Sequence, residues 1–164
     1  MANPLLNTKM YAKITGYAIG AVALLGIVLS LMGTGGNYGL FCDGAVTCTT
    51  ETEAQGSFLG FDWTHNIVHV LLAGIALYVG FMAPANITTL YAKVFGIVYA
   101  LLGVVGFFAA DLVLLHLELG ENLVHLVVGG WGIACGFFGT TSPTTPTPTS
   151  NATPTMAGKP PARK

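Results

Sequence analysis

The chain has 164 residues, 53% of them hydrophobic and 8% charged, with a mean hydropathy of +0.70 and a formal net charge of −1. Soluble domains carry about 25% charged residues, so this chain cannot cover a water-facing surface, and it has no basic excess to bind nucleic acid. The composition is that of an integral membrane protein.

A spanning helix needs about 20 mostly apolar residues. Four segments qualify, near 14–32, 63–82, 94–115 and 123–138. They are apolar on nearly every face, which excludes the alternating pattern of a β-barrel strand. Each is therefore a helix that satisfies its own backbone. The fold class is all-α: a four-helix transmembrane bundle over residues 1–139, followed by a tail over 140–164.

The first helix follows Lys9 and Lys13. Its apolar run is long and no A-x-A-like cleavage site follows, so it reads as a retained span rather than a signal peptide. The loop over 33–62 contains no Lys or Arg, and neither does 115–120. The other positive charges are Lys93, at the start of the third helix, and Lys159, Arg163 and Lys164 in the tail. By the positive-inside rule both termini and the 82–92 loop are cytoplasmic. The expected location is the plasma membrane of a prokaryote, multi-pass. The first loop is then extracytoplasmic, an oxidising place where Cys42 and Cys48 are expected to form a disulfide. Cys135 lies inside the fourth helix as a small packing residue.

The text repeats itself. "YAKITG" at 11–16 returns as "YAKVFG" at 91–96, an offset of 80 that also relates Gly26 to Gly106. For helices two and four the offset is 56. Asn66, Val68, His69, Gly74, Gly80 and Phe81 match Asn122, Val124, His125, Gly130, Gly136 and Phe137, and Asp62 aligns with Glu118. The chain reads as two parallel helical-hairpin repeats, about 11–82 and 91–138. The first repeat carries a loop 24 residues longer, holding the cysteines.

Helix two carries Asp62, Asn66, His69, Ala73, Ala76 and Gly80 at spacings of 4, 3, 4, 3 and 4; helix four repeats them with Glu118, Asn122, His125, Gly129, Gly132 and Gly136. At about 100° per residue each set is one narrow stripe, polar at one end and small along the rest. Small faces are where membrane helices meet. A twofold axis would bring the two stripes face to face, with His69 near His125.

Three readings of the histidines stand side by side. Asn and His side chains bonding across the helices would fix their register. A haem or chlorophyll could be ligated by His69 and His125. A transition metal could be held by His65, His69, Glu121 and His125, since His65 and His69 have the i, i+4 spacing of helical zinc sites. Asp111, in the outer part of the third segment, is an ionisable residue at membrane depth, with His116 nearby as a partner. No nucleophile triad, phosphate loop or pair of catalytic carboxylates is present.

From Thr140 onward Thr and Pro dominate, in "TTSPTTPTPTSNATPTMAGKPPARK", the composition of a disordered or polyproline-like tail. Its basic end suits anionic headgroups.

The blocks "WTHNIVHVLLAGIALYVG", "YAKVFGIVYALLGVVGF" and "NLVHLVVGGWGI" resemble a family of small prokaryotic four-helix membrane proteins catalogued only as a domain of unknown function. The likeness covers about 10–138, and its most specific element is N-x-x-H-x-x-x-x-G. It implies the bundle and supplies no activity. The expected role is non-enzymatic: a small accessory or scaffold subunit of a larger membrane complex or homo-oligomer, with no cofactor. The rivals are a membrane cofactor carrier binding haem, chlorophyll or a transition metal, and a small transporter or ion-conducting oligomer.

Overall fold

The computed structural model describes the backbone of residues 4–34, 38–42, 45–48, 59–61, 63–109, 111–112, 115–116 and 118–140, and the side chains of 5–32, 63–109 and 118–140. Four helices carry it: α1 (Thr8–Leu29), α2 (Trp63–Met82), α3 (Ala85–Gly106) and α4 (Leu119–Phe138). All four are long and apolar enough to cross a membrane. The tail over 141–164 and Asp62 lie outside the described residues.

Helix α1 starts earlier than the apolar run suggests because Asn7 caps it. The Asn7 Oδ1 accepts from Lys9 N at 3.0 Å and Met10 N at 3.1 Å, satisfying two donors that the first turn leaves without helical partners. The helix runs on through a π-turn over Ser30–Thr34. Helix α4 begins at Leu119 rather than 123. The Glu118 N–H donates to Glu121 Oε2 at 3.3 Å, part of a capping box that extends the helix into its acidic flank. Helix α3 ends at Gly106, well short of 115. Asp111 is therefore not helical. It lies in β4 (Asp111–Leu112), directly opposite His116 of the antiparallel β5 (Leu115–His116).

The long loop adds three short strands to the all-α core: β1 (Tyr38–Cys42), β2 (Ala45–Cys48) and β3 (Leu59–Phe61), in the order β2-β1-β3. The register sets Cys42 opposite Ala45 and Cys48 opposite Gly39. The two cysteines are thus not cross-strand partners. Three steps along a strand cover about 10 Å, against a Cα separation under about 7 Å in a disulfide. Their side chains lie outside the described residues, and among the described residues the one free cysteine is the buried Cys135.

Helix α1 packs chiefly on α2, and α3 on α4. These are the two hairpins. Glycines bring the backbones together. A Cβ on Gly26 would collide with the Asn66 amide, and one on Gly106 with the Asn122 amide. Gly96 lies against the backbone of Gly129 and Gly132. The Asn, Ala and Gly positions of the stripes on α2 and α4 therefore pack on the preceding helix of their own hairpin and not on each other, while His69 and His125 do meet across the bundle as the sequence suggested.

The hairpins join along a line of paired residues. The Thr8 hydroxyl donates to Thr88 Oγ1 at 3.2 Å, and Thr88 donates onward to the Ala85 carbonyl at 2.8 Å. The rings of Tyr11 and Tyr91 lie 6.2 Å apart, and those of His69 and His125 6.5 Å apart. Tyr91, Phe95 and Tyr99 stack one turn apart along α3, with centroids at 4.9 and 4.1 Å. Trp131 lies edge-on to Tyr11 at 5.0 Å and donates its indole N–H to the Leu5 carbonyl at 2.8 Å, tying the chain's start to α4.

Candidate functional site

The two hairpins converge on three histidines. His65 and His69 lie one turn apart on α2, and His125 reaches them from α4. One ring nitrogen from each lies within 4.8 Å of the other two. His65 and His125 are buried, and His69 is partly buried. The i, i+4 spacing puts the two α2 rings on one face, where their Nε2 atoms approach to 3.0 Å.

A carboxylate lies behind this group. Glu121 is 7% exposed, and its Oε1 is 3.6 Å from His65 Nδ1. Its other oxygen accepts the Glu118 N–H, so the capping box of α4 also aims the carboxylate at α2. The carboxylate faces His65 Nδ1 at ion-pair distance, beyond hydrogen-bond reach, and which ring donates in the 3.0 Å Nε2–Nε2 contact depends on the tautomers of the two histidines. Metal-binding histidines commonly have this form, with one nitrogen toward a carboxylate and the other free to ligate.

Tyr99, 3% exposed, presents its ring to His125, edge to face at 4.8 Å. Sequence reasoning passed over Tyr99. It lies on the α3 face marked by Gly96, Gly103 and Gly106, and that spacing was the available signal. Among the described residues, His125 Nδ1 is buried with no hydrogen-bond partner.

A cavity of about 220 Å³ adjoins the cluster. It lies between α1 and α4, with His65, His69 and Tyr99 on its inner wall. It is partly open to the exterior, its exposed surface is mostly carbon, and Thr15, Asn66, Glu121 and His125 also line it. Drug-sized ligands occupy pockets of about 300–1,000 Å³, and a tetrapyrrole is as large as these. The space suits an ion or a small molecule.

The structure thus brings together His65, His69, His125 and Glu121. The rest of the stripe goes to helix packing. Asn66 and Asn122 are buried against Gly26 and Gly106. Ala73 meets Gly20, Gly80 meets Lys13, Gly129 meets Ala100, Gly132 meets Gly96, and Gly136 meets Lys93. Glu118 caps α4 and does not join the cluster.

No protein-family model, curated protein or solved structure matches the chain.

Proposed function

We propose that this is a multi-pass membrane protein that holds a divalent transition-metal ion between its two hairpins, with His65, His69 and His125 as ligands and Glu121 behind His65. The observation that carries the reading is the convergence of three imidazole nitrogens within 4.8 Å in a buried place. Zinc–imidazole bonds of about 2.0–2.1 Å put tetrahedral ligand atoms about 3.3 Å apart, and the His65–His69 pair is already at 3.0 Å. Nitrogen ligands suit zinc and its first-row neighbours. A dication in a dry bundle needs compensating charge, and the buried Glu121 supplies one negative charge.

Two parallel repeats in a membrane support the same reading. Contacts recur at the sequence offsets: Gly26 on Asn66 and Gly106 on Asn122, Lys13 over Phe81 and Lys93 over Phe137. Residues 80 or 56 apart also meet directly, as Thr8 with Thr88 and His69 with His125. With both termini cytoplasmic by the positive-inside rule, the cluster lies near the outer surface, about one or two turns inside the helix ends. The role is that of a carrier and not of an enzyme. It is compatible with work inside a larger complex or homo-oligomer, because large apolar side chains are exposed along all four helices.

The rival is a purely structural clasp, in which the His65–His69 hydrogen bond only fixes the hairpins. Untagged protein, stripped with a chelator and titrated with Co²⁺, separates the two. The expected result is one Co²⁺ per chain with the visible bands of a four-coordinate nitrogen site, lost in His69→Ala and His125→Ala. Wild-type protein binding no more Co²⁺ than the His69→Ala/His125→Ala double variant would overturn the reading.

A further inference from the structure

The two halves of the bundle differ at the places that matter for the cavity. On α3, Phe95 and Tyr99 stack and fill the bundle interior. The residues 80 positions earlier, on α1, are Thr15 and Ile19, and both line the cavity. Two aromatic rings in one half thus stand where the other half has two smaller, β-branched side chains. The void lies on the α1 side, between α1 and α4, and ends at the histidines. At its rim Val22, Leu25 and Val124 are exposed on the outside of the bundle. A route from the apolar exterior to the cluster is therefore present on one side.

Charge and shape define what fits there. Three neutral imidazoles leave a tetrahedral ion one position short. A dication with the Glu121 carboxylate carries a net charge of +1, and one more anion would neutralise it in the dry interior. Beyond the cluster the wall is mostly carbon, with Thr15 and Asn66 as its polar residues. We infer that the groove between α1 and α4 admits a membrane-dissolved alkyl carboxylate, whose headgroup completes the metal's coordination while its chain lies along Ile19 and Val128. This rests on the metal reading above. Without the ion, a carboxylate beside Glu121 and neutral histidines would be repelled.

The test uses the Co²⁺-loaded protein and the series acetate, butanoate, hexanoate. Each carboxylate should shift the visible bands. Its affinity should rise about fourfold per methylene while the chain is being buried in the cavity. Ile19→Tyr, which places on α1 the residue found on α3, should keep the Co²⁺ spectrum and flatten the dependence on chain length. Ala18→Phe, at the rim, gives the same test if Ile19→Tyr does not fold. Bands that ignore every carboxylate, or an equal chain-length dependence in wild type and variant, would sink the inference and leave the metal site standing. A wild-type protein with no Co²⁺ bands removes both.

Discussion

Glu121 of α4 points one carboxylate oxygen at His65 Nδ1 of α2, 3.6 Å away, across the line where the two hairpins meet. The two residues hold corresponding positions in their halves, 56 apart in sequence. The site is thus asymmetric where the frame around it is nearly symmetric. In the proposed site one position is a metal ligand and its counterpart is the carboxylate behind it. Glu121→Gln keeps an acceptor for the Glu118 N–H but loses the charge. Metal affinity should fall about 10–100-fold, as it does when the carboxylate behind a ligating histidine is removed. Thermal stability of the metal-free protein should change little. Co²⁺ titration and a melt of the same sample would check both; unchanged affinity would remove Glu121 from the site.

Asn66 and Gly26 test the packing. A Cβ on Gly26 would overlap the Asn66 amide. Gly26→Ala should therefore destabilise the bundle by about 1–3 kcal/mol, the usual cost of overpacking. Gly26→Ala combined with Asn66→Ala should recover most of it, because the two act at one contact. Unfolding in detergent measured for the two single variants and the double would decide. Additive losses would mean that the strain lies elsewhere.

Much of this arrangement was legible in the sequence. Helix α2 occupies the predicted 63–82 because its apolar run begins and ends with the helix. The end of α3 was not legible from hydropathy. The apolar text continues past Gly106 through Leu112 to Leu115, and hydropathy does not distinguish an apolar helix from an apolar strand. The glycine at 106 was the available stop signal. The stripes on α2 and α4 were visible, but a stripe identifies a face and not its partner. Gly26 and Gly106, 80 residues apart like the two Y-A-K-x-x-G segments, were the clue that each stripe meets its own hairpin. The asparagine and histidine pairs raised one question and have two answers: Asn66 and Asn122 sit in helix–helix contacts, while His69 and His125 belong to the cluster.

Lys13 and Lys93 test the topology. Their ammonium groups lie 4.2 Å over the Phe81 ring and 4.9 Å over the Phe137 ring, at the end of the bundle that holds the α2–α3 turn. If that end is cytoplasmic, Ala85→Cys in a Cys42→Ser/Cys48→Ser/Cys135→Ser background should resist an impermeant thiol reagent added to intact cells. It should react after lysis. Labelling of intact cells at this position would invert the topology. Lys13→Leu should cost only about 0.5–1 kcal/mol of stability, the scale of an exposed cation–π contact.

Tyr99 gives the sharpest separation between packing and chemistry. Its ring packs on Phe95 and His125, yet its hydroxyl is buried without a hydrogen-bond partner among the described residues. A buried unsatisfied polar group costs about 1–3 kcal/mol. Tyr99→Phe keeps the ring and removes that cost, so the variant should be as stable as wild type or more so, by up to about 1 kcal/mol. Tyr99→Ile puts on α3 the residue that α1 carries at Ile19. It should destabilise by about 2–4 kcal/mol, because the void it leaves has no side chain to fill it. Both variants should still bind Co²⁺, since no Tyr99 atom belongs to the cluster. A Tyr99→Phe protein that melts lower than wild type would mean that the hydroxyl has a partner after all, and a loss of Co²⁺ in the same variant would make the metal that partner.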